Sequence, residues 1–274
     1  MQQSNSILKR KHKPVLRKIK IKTLKAFDEN RIPTTTRKEV NVPVSSPEQL
    51  EDIQQKILEE VSKIPGAFVG LKKKDGPVVL MQAGTSNDTG KHFAFPEINP
   101  VLIYFNLALK KIELSQVTKK SFEECPTSDF IRKYHIFVDY FEAASSGVVH
   151  LLGAVEAFYN QLLPEDFTVV IDGNEKRKNK LEYISLDIKI QTVLPQVTGK
   201  DFPAANPDAW KLILELKTLR NRLTHLKKVK AENLTDYQKL SNDLYNTDFS
   251  KYIPAIQNFF DFYEPGLIEE DNET

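Results

Sequence analysis

The sequence predicts a mainly α-helical protein: a C-terminal helical bundle, preceded by a small α+β region and a basic N-terminal arm. Three observations carry that prediction. Phe130, Tyr134, Phe137, Phe141, Ala144, Val148, Leu151, Val155, Phe158 and Leu162 step by four and three without a break, the spacing of one face of a long packed helix. Leu212, Leu216, Leu219, Leu223 and Leu226 repeat the pattern. Hydrophobic residues make up 40% and charged residues 28% of the 274, a globular composition with room for one large or two modest domains.

The first segment, 1–25, is a basic arm. It carries nine Lys or Arg and no acid, so a chain of net charge +2 leaves residues 26–274 at −7. Such an arm reads either as an electrostatic tether for phosphates or an acidic surface, or as a solvated tail. Ile19 and Ile21, alternating with Lys18, Lys20 and Lys22, predict a short strand at its end. Residues 28–47 read as a linker. Ser46 and Pro47 open a helix with Leu50, Ile53, Ile57 and Val61 on one face, stopped by Pro65-Gly66. Phe68–Leu71 and Val78–Met81 around Lys74-Asp75-Gly76 predict a hairpin. A further helix is expected over roughly 100–112, which makes 26–125 a small α+β region of unassigned role.

From Pro126 the helical domain is expected to run to 268, with 269–274 as an acidic tail. Within the long helix, Ser145-Ser146-Gly147 is a candidate kink. Asp172-Gly173 predicts an exposed turn or hairpin, and a helix near 181–194 should close at Pro195 and Gly199. Asn206 caps the leucine-rich helix, with Pro207 in its first turn. Segments 235–245 and 249–263 are apolar enough to close the bundle.

The polar residues of the leucine-rich helix are the candidates for chemistry. At ~100° per residue, Asn221 and His225 lie roughly 140–180° from the leucine seam and Arg220 roughly 80° from it. Trp210, Ile213 and Leu214 fall on the same outer face. An apolar patch beside a polar cluster predicts a subunit interface, with Trp210 and Leu214 as its dimer contacts.

Leu216-Lys217-Thr218-Leu219-Arg220-Asn221-Arg222-Leu223-Thr224-His225 resembles the HEPN signature, an Arg and a polar residue with a His five after the Arg. Ala154-Val155-Glu156-Ala157-Phe158-Tyr159-Asn160, on the earlier long helix, resembles the acidic-and-Asn motif of that family. The resemblance covers the C-terminal half only. It implies a HEPN-like bundle in which those two helices pack together and the Arg–His motifs of two copies face each other. It further implies a homodimeric endoribonuclease acting as a toxin or antiviral defence effector, possessing an antitoxin or other defence-system partner. Arg220, Asn221 and His225 would be catalytic, with Glu156 and Asn160 supporting them. The Tyr that some HEPN toxins carry two residues past the His is Lys227 here, so control through that Tyr is not implied. Arg222, Lys227 and Lys228 are instead candidates for holding an RNA backbone.

The residue types suit RNA cleavage. RNA carries its own nucleophile, the 2′-hydroxyl. Cleavage needs a base for its proton, an acid for the leaving 5′-oxygen and positive charge on the phosphoryl oxygens. Histidine can do either proton task near neutral pH, and arginine supplies the cationic fork. Neither a metal nor another cofactor is called for. The same residues also fit a non-catalytic HEPN module that binds RNA or scaffolds a complex: His225 beside lysines can complement a helix C-terminus, and Arg220 can simply pair with Glu156.

Other signals point elsewhere. Gly84–Lys91 has five residues between its glycines, and His92 stands where a phosphate-binding loop needs Ser or Thr, so it reads as an ordinary polar loop. His12, His92, His135 and His150 lack ligand spacing, and Cys125 is the single cysteine. No apolar run approaches the ~18 residues of a membrane span, and Ile7-Leu8 followed by Lys9-Arg10-Lys11 does not read as a secretory signal. A cytoplasmic protein is expected.

Overall fold

The computed structural model describes residues 19–21, 47–64, 68–72, 78–96, 99–164, 166–181, 183–225 and 235–270. Expectations for the rest of the basic arm, the linker before Pro47, the Lys74-Asp75-Gly76 turn, Leu226, Lys227, Lys228 and the last four residues lie outside these. The chain is mainly helical and divides into two compact units, one spanning 23–99 and the other built from Pro100 onward together with the N-terminal strand. The second unit thus includes residues 100–125.

Strand β1 (Ile19–Ile21) belongs to the helical unit. The smaller unit holds helix α1 (Pro47–Ser62) and strands β2 (Phe68–Lys72), β3 (Val78–Thr85) and β4 (His92–Pro96). The hairpin expected from Phe68–Met81 is present, with Phe68 in register with Gln82. β4 extends it to a three-stranded antiparallel meander, Gly84 opposite Phe93. The Gly84–Lys91 stretch is thus a strand end and a turn, closed by Ser86 N–H on Lys91 O and Gly90 N–H on Ser86 O, both 2.9 Å. A strand, not a helix, follows it. α1 lies against the sheet, Leu58 buried and Ser62 Oγ 3.4 Å from His92 Nδ1.

The helical unit begins with α2 (Pro100–Glu124) and α3 (Phe130–Leu162), an antiparallel pair that packs along its length. α2 is twice the expected length. Its apolar stripe, Val101, Leu102, Phe105, Ala108 and Ile112, is succeeded by buried Ser115. Its polar second half is held instead by Phe122, whose ring sits 5.4 Å from Phe137 and 5.9 Å from Tyr245. α3 runs unbroken through Ser145-Ser146-Gly147. Gly147 is there for approach: a Cβ would stand 2.8 Å from Ile112 Cγ1 on α2.

After α3 come hairpin β5 (Thr168–Ile171)–β6 (Asn174–Arg177), turning at Asp172-Gly173 as expected, and the short helix α4 (Lys178–Leu181). α5 (Leu186–Ile188), a π-helical turn (Lys189–Val193) and α6 (Leu194–Thr198) make one continuous helix. Pro195 does not close it. Leu194 N–H bonds Lys189 O across five residues, and the widened turn shifts the ladder just where Pro195 brings no donor. Gly199, at φ 70°, is the actual stop. Gln196 then doubles as a strand edge, its amide donating to Val170 O and accepting from Val170 N–H, both at 2.9 Å.

α7 (Phe202–Ala205), α8 (Pro207–Thr224), α9 (Thr235–Tyr245) and α10 (Phe249–Tyr263) complete the unit, and β7 (Ile268–Glu270) pairs antiparallel with β1. Asn206 stands at the α8 N-cap, but its Oδ1 accepts from Asn258 Nδ2 on α10 (3.0 Å) and not from the helix backbone. α10 packs on both α3 and α8. Phe158 of α3 meets Phe260 at 4.9 Å and Phe259 at 5.7 Å, and Phe202 meets Phe259 at 5.1 Å. Among the described residues no helix is long and apolar enough to cross a membrane.

Candidate functional site

The site grows from the rotation of α8. Its buried residues are Trp210, Ile213, Leu216 and Leu219, while Leu212 and Leu223 are only partly covered. The expected outward placement of Trp210 and Ile213 is therefore corrected: they are 6% and 1% exposed, inside their own bundle. Leu214, also expected at a subunit contact, packs half-buried against the same core. A wheel centred on the leucines misses this because the N-terminal half of α8 has neighbours on more than one side. α7, α3 and α10 all pack on the helix. Lys217 Nζ donates to Asp187 Oδ1 of α5 at 2.6 Å.

That rotation carries Arg220 toward α3. Its guanidinium donates to Glu156 Oε1, and the two side chains are 25% and 41% exposed. The pairing of Arg220 with Glu156 that the sequence allows is present. Asn160, one turn further along α3, is exposed. With Glu156, Ala157 and Gly153, and with Pro100 and Tyr104 of α2, it lines an open depression of about 440 Å³.

Arg222 points to a different neighbour. Nη1 donates to Asp243 Oδ2 on α9 at 2.5 Å, so this candidate RNA contact is already engaged. Asn221 is half-buried, and its carbonyl accepts His225 N–H at 3.0 Å. His225 is the exposed residue that ends α8. Among the described residues the side chains of Asn160, Asn221 and His225 hydrogen-bond neither to one another nor to Arg220. One chain thus joins Arg220 to Glu156 and leaves the imidazole facing outward.

Asp187 and Asp243 were missed by sequence reading. They lie 30 and 21 residues from their partners, and no local spacing marks them. Burial pushes the Asp187 carboxyl up, but hydrogen bonds from Lys217 and Ser185 and the Lys217 charge outweigh it and hold the group below the ordinary aspartate range. Tyr159, between Glu156 and Asn160, is buried. Desolvation alone holds its phenol protonated well above the usual tyrosine range, and Lys189 Nζ lies 5.3 Å above its ring. No group of three or more His, Cys, Asp or Glu able to hold a metal ion occurs among the described residues.

No protein-family model, curated protein or solved structure matches this chain. The arrangement itself offers a cationic fork on one helix, a carboxylate that orients it from another, and an exposed imidazole one turn away.

Proposed function

We propose that the helical unit is a HEPN-like endoribonuclease, acting as a toxin or antiviral defence effector, in which Arg220, Asn221 and His225 cleave RNA without a metal. The observation that supports it is the Glu156–Arg220 ion pair. It joins the acidic segment of α3 to the Arg-Asn motif of α8 in the pairing the family resemblance implies. In this reading a histidine takes the proton of the 2′-hydroxyl as the 2′-oxygen attacks phosphorus. The P–O5′ bond breaks, and the leaving 5′-oxygen receives a proton from an acid. The products are a 2′,3′-cyclic phosphate and a 5′-hydroxyl. Arg220 neutralises the phosphoryl oxygens, sharing its fork between phosphate and Glu156. One chain brings one outward His225, so base and acid come from two copies. Lys227, Lys228 and the basic arm add affinity for the backbone.

The test is incubation of purified protein with total RNA in EDTA, beside the Arg220→Ala/His225→Ala variant. Cleavage by the wild type alone, leaving cyclic phosphate ends, is expected. Products with 5′-phosphates, or a strict magnesium requirement, would overturn the mechanism.

A second reading has its own observation. Lys217, Arg220 and Arg222 each face a carboxylate of a neighbouring helix, as they would in a non-catalytic module whose cations serve packing. RNA binding or complex scaffolding with no cleavage by the wild type would establish that reading.

A further inference from the structure

The open depression between α2 and α3 shares Glu156 with the Arg220 fork. Its α3 wall is one face of the helix, where Gly153, Glu156, Ala157 and Asn160 follow at three, one and three. Tyr104 stands on the α2 wall. The volume of about 440 Å³ is within the ~300–1,000 Å³ of small-molecule sites.

The apolar part of the lining is flat and braced. Gly153 brings no side chain. A Cβ there would stand 3.4 Å from Tyr104 Cγ and 3.6 Å from each δ carbon, so the ring turns a face to the helix. Tyr104 is still 39% exposed, which leaves aromatic surface for a planar ligand. His150 leans on the same ring, with centroids 6.0 Å apart. Its Nδ1 lies 2.7 Å from Ser146 O, and a carbonyl only accepts, so the imidazole is pinned by donating there. Two contacts therefore hold the platform in place.

The polar part can read an edge. Glu156 gives Oε1 to Arg220, and its second oxygen remains an acceptor. Asn160, one turn further on, is exposed and carries an amide N–H and C=O. A flat aromatic surface bordered by a carboxylate and an amide complements a nucleobase. Guanine fits this pattern best among the RNA bases. Its N1–H and N2–H donors suit the carboxylate, and its O6 suits the amide N–H. Uracil sets two carbonyls around a single N–H, while adenine and cytosine turn a ring-nitrogen acceptor toward the carboxylate.

We infer that this depression seats a guanine of the RNA strand, beside the phosphate that Arg220 neutralises. The inference rests on the nuclease reading and adds a base preference to it, but binding tests it without cleavage. In calorimetric titrations of the full chain, guanosine 5′-monophosphate should bind at least about tenfold tighter than the adenosine, cytidine and uridine monophosphates. Tyr104→Ala should weaken that binding by roughly 5- to 150-fold. Tyr104→Phe should preserve it, because only the ring is used. Ala157→Leu should abolish it by filling the depression. Placing one guanosine in a short oligouridine should raise its affinity by a similar factor.

Equal affinity for the four monophosphates, or no guanosine monophosphate binding up to about 10 mM, would overturn the inference. Neither result depends on a variant, so both stand even if Tyr104→Ala unfolds. Tight guanosine monophosphate binding with no gain in the oligonucleotide would overturn it too, giving the site to a free nucleotide. Guanine-selective binding by a protein that never cuts RNA sinks the nuclease reading and leaves this seat standing, whereas cutting with no preference for guanine does the reverse.

Discussion

The two ends of α8 do different work. The N-terminal end, with Trp210, Ile213 and Leu216, is sealed in the core, and its contacts are non-directional dispersion and apolar burial. The C-terminal end, with Arg220, Asn221, Arg222 and His225, is half-covered to exposed and held by directional ion pairs to α3 and α9. Half-exposed ion pairs contribute little stability because water screens them, yet they fix where a guanidinium points. The difference teaches that one helix can be anchored at one end and left available for chemistry at the other.

The largest effect should come from the chemical end. On the proposed nuclease reading, His225→Ala should lower RNA cleavage by ~10²–10⁴-fold and leave the melting temperature nearly unchanged, because the side chain is exposed. A large fall in melting temperature would show that His225 belongs to the anchor.

Next, Trp210→Ala should cost roughly 3–5 kcal/mol of stability in urea unfolding, from lost transfer free energy and a cavity. Cleavage per folded molecule should persist. A loss below about 1 kcal/mol would return Trp210 to the surface and break the distinction between the ends.

A double-mutant cycle on Arg220→Ala and Glu156→Gln sharpens it further. The coupling in stability should be under about 1 kcal/mol, discounted because Glu156 is 41% exposed. On the proposed nuclease reading, coupling in cleavage rate should be larger, since Glu156 would act by orienting the fork. Equal couplings would make the pair purely structural.

The smallest effect concerns Asp187, whose folded carboxyl lies below the ordinary range. A depressed carboxylate stabilises the fold above its unfolded value of ~3.9, and that contribution fades as pH falls through the lower folded value. Wild type should therefore melt above Asp187→Asn at pH 6, by at most about 0.5 kcal/mol equivalent, and the gap should close toward pH 3. A gap that widens on acidification would mean the Lys217 bond does not set this group.

Several elements were legible because their signals are local. α9 and α10 begin and end where their apolar spacing and flanking polar residues put them, and Asp172-Gly173 turns β5 into β6. α3 was legible over its whole length because its heptad-like spacing never lapses. For α2 the local signal covers only about half of the helix, roughly 100–112 of Pro100–Glu124. The signal fades at Ser115 and Lys119, and what holds the second half is distant: Lys119 Nζ donates to Tyr245 O at 2.7 Å, from 126 residues away.

Alone, the sequence determined helices α1, α3, α8, α9 and α10, where the Arg220–His225 cluster sits and that Glu156 could serve it, because periodicity and residue chemistry are carried by neighbours in the chain. Only the tertiary structure decided how α8 is rotated, that Trp210 is core and not contact surface, and which carboxylates take Lys217 and Arg222. A helical wheel ranks directions around one axis, but burial depends on how many neighbours surround that axis. Those neighbours come from chain far away in sequence, whose positions no local pattern encodes.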